Sequence, residues 1–228
     1  FNGTNGTTYT LRWTISNGTC ISFEDVVIDF PLLALQPDNF SASTTPVCQG
    51  ASGVVYTVPL DPSVTYNWSY SGTNANIMGT TNSITIDFLS NATSGTLSVT
   101  ATNGCGTSAA RDLPIVVNPI PVFTISGAPA NVCDGNAFIF SSDLTAVAKN
   151  YDIDILKDGV ATAGYPKTAQ SSNSDTYNET LVWTGPGVSN NFVYTITVTD
   201  VNGCSANIVT SADVFKIPET GPQYHIPN

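Results

Sequence analysis

Three segments of this chain repeat one pattern: an alternating polar–apolar run, an Asn-Gly pair at or near a cysteine, and then a second run. They are TISNGTCIS from Thr14 to Ser22, TATNGCGTS from Thr100 to Ser108, and VTDVNGCSA from Val198 to Ala206. The runs have period two, so Leu11, Trp13 and Ile15 oppose Arg12, Thr14 and Ser16, and Leu97, Val99 and Ala101 oppose Ser98, Thr100 and Thr102. In the third copy Phe192, Tyr194, Ile196 and Val198 oppose Thr195, Thr197 and Thr199. One apolar and one polar face is the pattern of an antiparallel strand covered on one side. Asn-Gly tolerates the positive φ of a tight hairpin turn, so EDVVIDF, LPIVV and ADVFKI read as the return strands.

The cysteines give the period. Cys20 and Cys105 are 85 residues apart, as are Cys48 in PVCQG and Cys133 in NVCDG, while Cys105 and Cys204 are 99 apart. Two contexts recurring at nearly one spacing are the mark of tandem domains. Residues 1–36 read as the C-terminal part of one unit, 37–119 as a second, 120–217 as a third with a longer middle, and 218–228 as an extended linker or tail. Prolines fall at the joints, in Phe30-Pro31, in VNPIP from Val117 to Pro121, and in the tail KIPETGPQYHIPN. They restrict φ and stiffen the connections.

Within the second unit GVVYTV, TYNWSYS and SITIDFL read as strands; within the third, AFIFSS, YDIDILK and TLVWTG do. Lys157-Asp158-Gly159 is a turn signal, QSSNSD a polar loop, and LTAVAK the nearest approach to a helix. Many short strands at regular spacing predict an all-β fold of tandem immunoglobulin-like antiparallel sandwiches.

Pairing within units, Cys48 with Cys105 and Cys133 with Cys204, makes each unit self-sufficient, although four cysteines allow three connectivities. Cys20 then has its partner outside the chain, before residue 1, the alternative being a free structural thiol. Loops of this length closed by a disulfide contribute roughly 4 kcal/mol and require an oxidising compartment.

Charge and motifs exclude more than they assign. A net charge of −11 argues against binding nucleic acid or anionic membranes. No apolar run reaches the ~18 residues of a membrane-spanning helix. The single histidine, His225, lies in the proline-rich tail without a nucleophile at a telling spacing, and no phosphate loop or HExxH occurs, so catalysis is not expected. More than half of the acids fall in the third unit. Asp152, Asp154, Asp158 and Asp200 are the candidate ligands for calcium, the one cofactor considered. Trp13 and Trp68 lie on apolar faces and read as core. Trp183, beside Gly185-Pro186-Gly187, is the candidate glycan-stacking platform.

The combination of VCxG, a central Trp strand (YNWSY) and the turn NGC followed by a β-strand resembles the PKD-like and immunoglobulin-like repeats of large Bacteroidota cell-surface proteins, adhesins and gliding-associated cargo of type IX secretion. The resemblance covers the first hairpin, the second unit and the ends of the third, whose middle from Tyr151 to Asn178 is longer and more acidic. It implies a disulfide-stapled sandwich exported through the periplasm to the cell surface. The expected role is non-enzymatic: a rod-like spacer or filament-forming adhesive segment. Its partners would be neighbouring domains, other copies or surface glycans, with the tail read as an extended linker into whatever follows. The alternative is a glycan- or calcium-dependent binding module centred on the third unit.

Overall fold

The computed structural model describes residues 2–218, so the expected tail from residue 219 onward, with His225, lies outside the described residues. Those residues form β-strands and turns with no helix among them. The chain divides into two compact units, Phe1–Asn118 and Pro119–Asn228.

The first unit runs β1 (Thr7–Ser16), β2 (Ile21–Phe30), β3 (Val47–Cys48), β4 (Val54–Thr57), β5 (Thr65–Tyr70), β6 (Ala75–Met78), β7 (Ser83–Phe88), β8 (Gly95–Asn103), β9 (Gly106–Thr107), β10 (Arg111–Ile115) and β11 (Val117–Asn118). Strands β1 and β2 form a two-stranded sheet of their own, in register from Thr7 opposite Phe30 to Ser16 opposite Ile21. The remaining strands form a β10-β8-β5 sheet, a β4-β7-β6 sheet, and a short parallel pair, β11 with β3. The period-two pattern becomes burial: Ile84, Ile86 and Phe88 from β7 and Leu97 and Val99 from β8 are almost wholly enclosed. Each such side chain contributes about 1.5–3 kcal/mol. Trp68 and Tyr70 pack against this core as expected, with the Trp68 indole donating to the Thr81 carbonyl at 2.8 Å.

Trp13 corrects the sequence reading. It is 73% exposed, with Ile15 and Phe23 also exposed, because the apolar face of β1 has no second sheet over it.

The second unit runs β12 (Thr124–Ser126), β13 (Asn131–Cys133), β14 (Ala137–Asp143), β15 (Tyr151–Lys157), β16 (Val160–Ala161), β17 (Lys167–Gln170), β18 (Ser174–Thr180), β19 (Ser189–Thr199) and β20 (Ser205–Phe215). A β12-β14-β18 sheet and a larger β13-β20-β19-β15-β16 sheet enclose Phe138, Phe140, Ile153, Ile155, Tyr194 and Ile196. LTAVAK, the nearest approach to a helix, is a single turn, closed by Val147 N–H on the Leu144 carbonyl at 3.1 Å, which buries both apolar side chains. The strand expected in TLVWTG lies earlier: β18 ends at Thr180, and part of the expected QSSNSD loop is its beginning. At Lys157-Asp158-Gly159 the turn is present, with Asp158 at φ 50° and Gly159 at φ 79°.

Candidate functional site

The repeated features of both sandwiches converge on their cysteines, which occur in two structural kinds. Cys48 and Cys133 stand where the chain leaves its sandwich. Cys48 pairs in parallel with Asn118, and Cys133 with Phe215. The following turn is the same in both: Gly50 (φ 81°) and Gly135 (φ 78°) take left-handed backbone, and the amides of Ala51 and Asn136 return to the Cys48 and Cys133 carbonyls at 3.2 and 3.0 Å. Only glycine adopts that φ without strain, which is the physical content of VCxG.

The other kind sits at a hairpin tip. The amides of Cys20, Cys105 and Cys204 donate to carboxamide or carboxylate oxygens of Asn17, Asn103 and Asp200, each at 2.9 Å. These Asx bonds fix where the turn presents its thiol. Asp200 also accepts from Asn202 N–H at 2.9 Å. In the first unit the tip meets the incoming segment. The Cys105 thiol donates to the Pro31 carbonyl at 3.6 Å, Asn103 Nδ2 to the Leu32 carbonyl at 2.9 Å, and Arg111 Nε to the Pro37 carbonyl at 2.9 Å.

Within each sandwich the two kinds occupy opposite ends. Cys105 follows Asn103, the last residue of the nine-residue β8, whereas Cys48 lies beyond its Gly95 end, because Ile115 pairs with Gly95 and the chain continues to Asn118. At ~3.3 Å per residue that strand alone is about 27 Å long, whereas bonded cysteines have Cα atoms within about 7 Å. The expected Cys48–Cys105 and Cys133–Cys204 bridges are therefore corrected: Cys105 and Cys133, together with Cys20, are exposed free thiols. Cys48 and Cys204 are the disulfide-bonded cysteines, one of each kind.

The candidate calcium ligands do not form one cluster. Asp152 pairs with Thr199 near one end of β15, and Asp158 follows the other end, about 20 Å away along the strand. Their oxygens hold backbone instead: Asp152 accepts from Ala169 N–H and Asp158 from Val193 N–H, both at 2.8 Å. Asp200 serves the Cys204 turn, and one Asp154 oxygen, Oδ1, is buried without a partner. Among the described residues no group of three or more His, Cys, Asp or Glu is placed to hold a metal. Trp183 is half-buried against the core of its unit, its indole N–H buried and unpartnered, its ring 5.4 Å from Lys216 Nζ.

The acidic middle of the second unit has a structural use that the sequence did not disclose. Glu179 accepts from Lys157 Nζ at 2.6 Å and from the hydroxyls of Tyr177 and Tyr194 at 2.7 and 3.0 Å. Burial works to raise the Glu179 pKa, but these hydrogen bonds outweigh it and hold the carboxyl below its usual range. Tyr177 and Tyr194 are pushed up from the usual phenol value, first by burial and then by the Glu179 charge and hydrogen bond. Four residues earlier on the same face of β18, Asp175 accepts from Tyr165 and, at 2.6 Å, from Lys167. Two lysines thus neutralise two acids across the sandwich. The alternation of Asp175, Tyr177 and Glu179 was the available signal.

Comparison with known proteins gives one family match and several distant structural likenesses. Residues 34–115 match the model of the PKD-like domain. No curated protein matches the chain. Among solved structures, the fibronectin(III)-like modules of Clostridium thermocellum CbhA are similar at 11% identity and TM-score 0.36, covering 82% of this chain and 99% of that one. The titin Ig tandem A164-A165 is similar at 10% identity and TM-score 0.31, covering 78% and 97%. The ICAM-5 D1-D4 ectodomain fragment is similar at 13% identity and TM-score 0.45, covering 93% and 57%. Among its described residues the chain is all-β, and its segment 34–115 is similar to the PKD-like domain.

Proposed function

We propose that this chain is a non-enzymatic structural segment of a long secreted cell-surface protein, in which tandem PKD-like sandwiches act as a rod-like spacer or adhesive stalk. The observation that carries the reading is that both sandwiches have filled interiors and carry their cysteines at their two ends. Side chains that in an enzyme would converge on substrate here bind backbone or one another: Asp152, Asp158 and Asp200 tie loops, and Glu179 ties Lys157, Tyr177 and Tyr194. A disulfide-bonded Cys48 and Cys204 suit an oxidising destination outside the cytosol. Export by type IX secretion from a Bacteroidota cell is the route in keeping with the repeat resemblance.

Force is the function to test. Pulling the whole chain by its ends in single-molecule force spectroscopy is expected to give two discrete unfolding events under reducing conditions, one for each sandwich. Smooth extension at low force would contradict a load-bearing role. So would saturable binding of calcium or of an oligosaccharide panel with a shift in thermal midpoint, which would move the reading to a binding module.

A further inference from the structure

The three hairpin tips each carry an Asn-Gly pair, Asn17-Gly18, Asn103-Gly104 and Asn202-Gly203, and the fold holds the three side chains differently. In Asn-Gly the side-chain carboxamide is open to attack by the next backbone nitrogen, because glycine has no Cβ to shield that nitrogen. Two of the tips restrain this reaction. Asn103 Nδ2, which would leave, donates to the Leu32 carbonyl at 2.9 Å. Asn202 Nδ2 donates to Asp200 Oδ2 at 3.2 Å, and the Gly203 amide, which would attack, donates to the Asp200 carbonyl at 3.0 Å. Both tips also close strands whose apolar faces are enclosed, at Leu97 and Val99 or at Tyr194 and Ile196. Asn17 differs in each respect. It is exposed, at the tip of a two-stranded sheet on which Leu11, Trp13 and Ile15 are all exposed. Such a hairpin opens at small cost. The amides of Thr19 and Cys20 both donate to Asn17 Oδ1, at 3.2 and 2.9 Å. Two N–H groups on a carbonyl oxygen stabilise the negative charge that attack on its carbon places there. The Gly18 amide donates to Ser16 Oγ at 3.1 Å, an exposed hydroxyl that rotates away without breaking a strand.

We propose that Asn17-Gly18 is a self-modification site, at which the folded chain converts Asn17 to a succinimide and then to aspartate and isoaspartate, ahead of the other two Asn-Gly pairs. The Gly18 nitrogen gives its proton to a solvent base and attacks Asn17 Cγ. A Gly18 N–Cγ bond forms, the Cγ–Nδ2 bond breaks, and Nδ2 takes up a proton and leaves as ammonia. Water then adds to one of the two ring carbonyls. Opening at Cγ restores the ordinary backbone and leaves aspartate, whereas opening at the main-chain carbonyl leaves isoaspartate. Water is the one co-reactant, and the net change replaces a carboxamide nitrogen with oxygen.

The two products act differently on the hairpin. Aspartate keeps an oxygen for the Thr19 and Cys20 amides and adds a negative charge at the tip. Isoaspartate routes the main chain through the side-chain methylene, so the ladder that ends with Ser16 opposite Ile21 no longer closes at its tip. Loss of ammonia makes the change irreversible, and the hairpin thereby records the age of the molecule. This chemistry is independent of the spacer reading.

The test incubates the full chain at mildly alkaline pH, once folded and once in guanidinium chloride, and follows each Asn-Gly peptide by mass spectrometry over weeks. In the folded chain Asn17 should convert about tenfold faster than Asn103 or Asn202, the order set by the hydrogen bonds those two must first break. The product should be a mixture, its isoaspartate recognised by resistance to an aspartate-directed protease. In guanidinium chloride the three rates should converge. Conversion of Asn103 or Asn202 as fast as Asn17 in the folded chain would overturn the proposal. So would an Asn17 that stays intact when folded yet converts in denaturant. The same order and spread of rates in denaturant would also overturn it, by placing the preference in local sequence and not in the fold. None of these outcomes alters the unfolding events expected under force, so the spacer reading is tested separately.

Discussion

Cys133 pairs in register with Phe215, the last residue of β20, whereas Cys204 immediately precedes Ser205, the first residue of the same strand. Eleven residues of extended chain separate their ends, roughly 35 Å. No rearrangement short of unfolding that strand brings the two sulfurs together. A bridge between these two positions is therefore ruled out in the folded unit.

Serine substitutions should divide along that line. Cys105→Ser and Cys133→Ser remove exposed free thiols and are expected to change unfolding stability by less than about 0.5 kcal/mol. Cys48→Ser and Cys204→Ser each remove a bonded partner and should cost about 2–5 kcal/mol. Urea unfolding with thiol quantification reads both. Equal costs at Cys48 and Cys105 would point to a bond between them.

Asp200 should matter through the turn it closes. Its carboxylate takes the Asn202 and Cys204 amides, so Asp200→Ala should cost about 1–2 kcal/mol and slow reoxidation of Cys204 after reduction. Asp200→Asn retains an acceptor oxygen and should recover most of both. Unchanged reoxidation in the alanine variant would show that the turn does not set thiol placement.

Glu179→Ala leaves two tyrosine hydroxyls and the Lys157 ammonium without their acceptor and is expected to cost about 2–3 kcal/mol. Glu179→Gln keeps oxygen for one donor and should lose less. Chemical denaturation of the full chain, followed through the second unit's transition, separates the two.

The same cluster gives a pH dependence with two arms. The folded pKa of Glu179 lies below its unfolded value, so its contribution is present above the ordinary carboxylate range, near about 4.3, and is lost as pH falls through the folded value. Tyr165, Tyr177 and Tyr194 have folded pKa values raised above the usual phenol value, burial being the largest cause. Their contribution is complete below about pH 10 and declines above it, as the unfolded chain sheds phenolic protons that the folded chain keeps. Urea midpoints against pH should show a plateau between these limits. Absorbance near 295 nm should show tyrosines ionising together with unfolding.

The strands were legible wherever one face was apolar and the other polar, as in Leu97, Val99 and Ala101 or Tyr194, Ile196 and Val198, because burial then follows residue type directly. The start of β18 was not, because Asp175 and Glu179 point to lysines across the sandwich and its polar composition imitates a loop. Trp13 defeated the same reasoning from the other side: an apolar face tells what a strand can bury, and β1 stands uncovered. The cysteine period was legible as a repeat, but spacing along a chain says nothing about which end of a strand a residue occupies. That required the register of Cys48 with Asn118 and of Cys133 with Phe215.

The most direct test of the account is non-reducing peptide mapping of the intact chain after alkylation of free thiols. Cys20, Cys105 and Cys133 should be alkylated without reduction, whereas Cys48 and Cys204 should resist alkylation until the chain is reduced. Linked peptides joining Cys48 to Cys105, or Cys133 to Cys204, would contradict the placement of the two cysteine kinds at opposite ends of each sandwich.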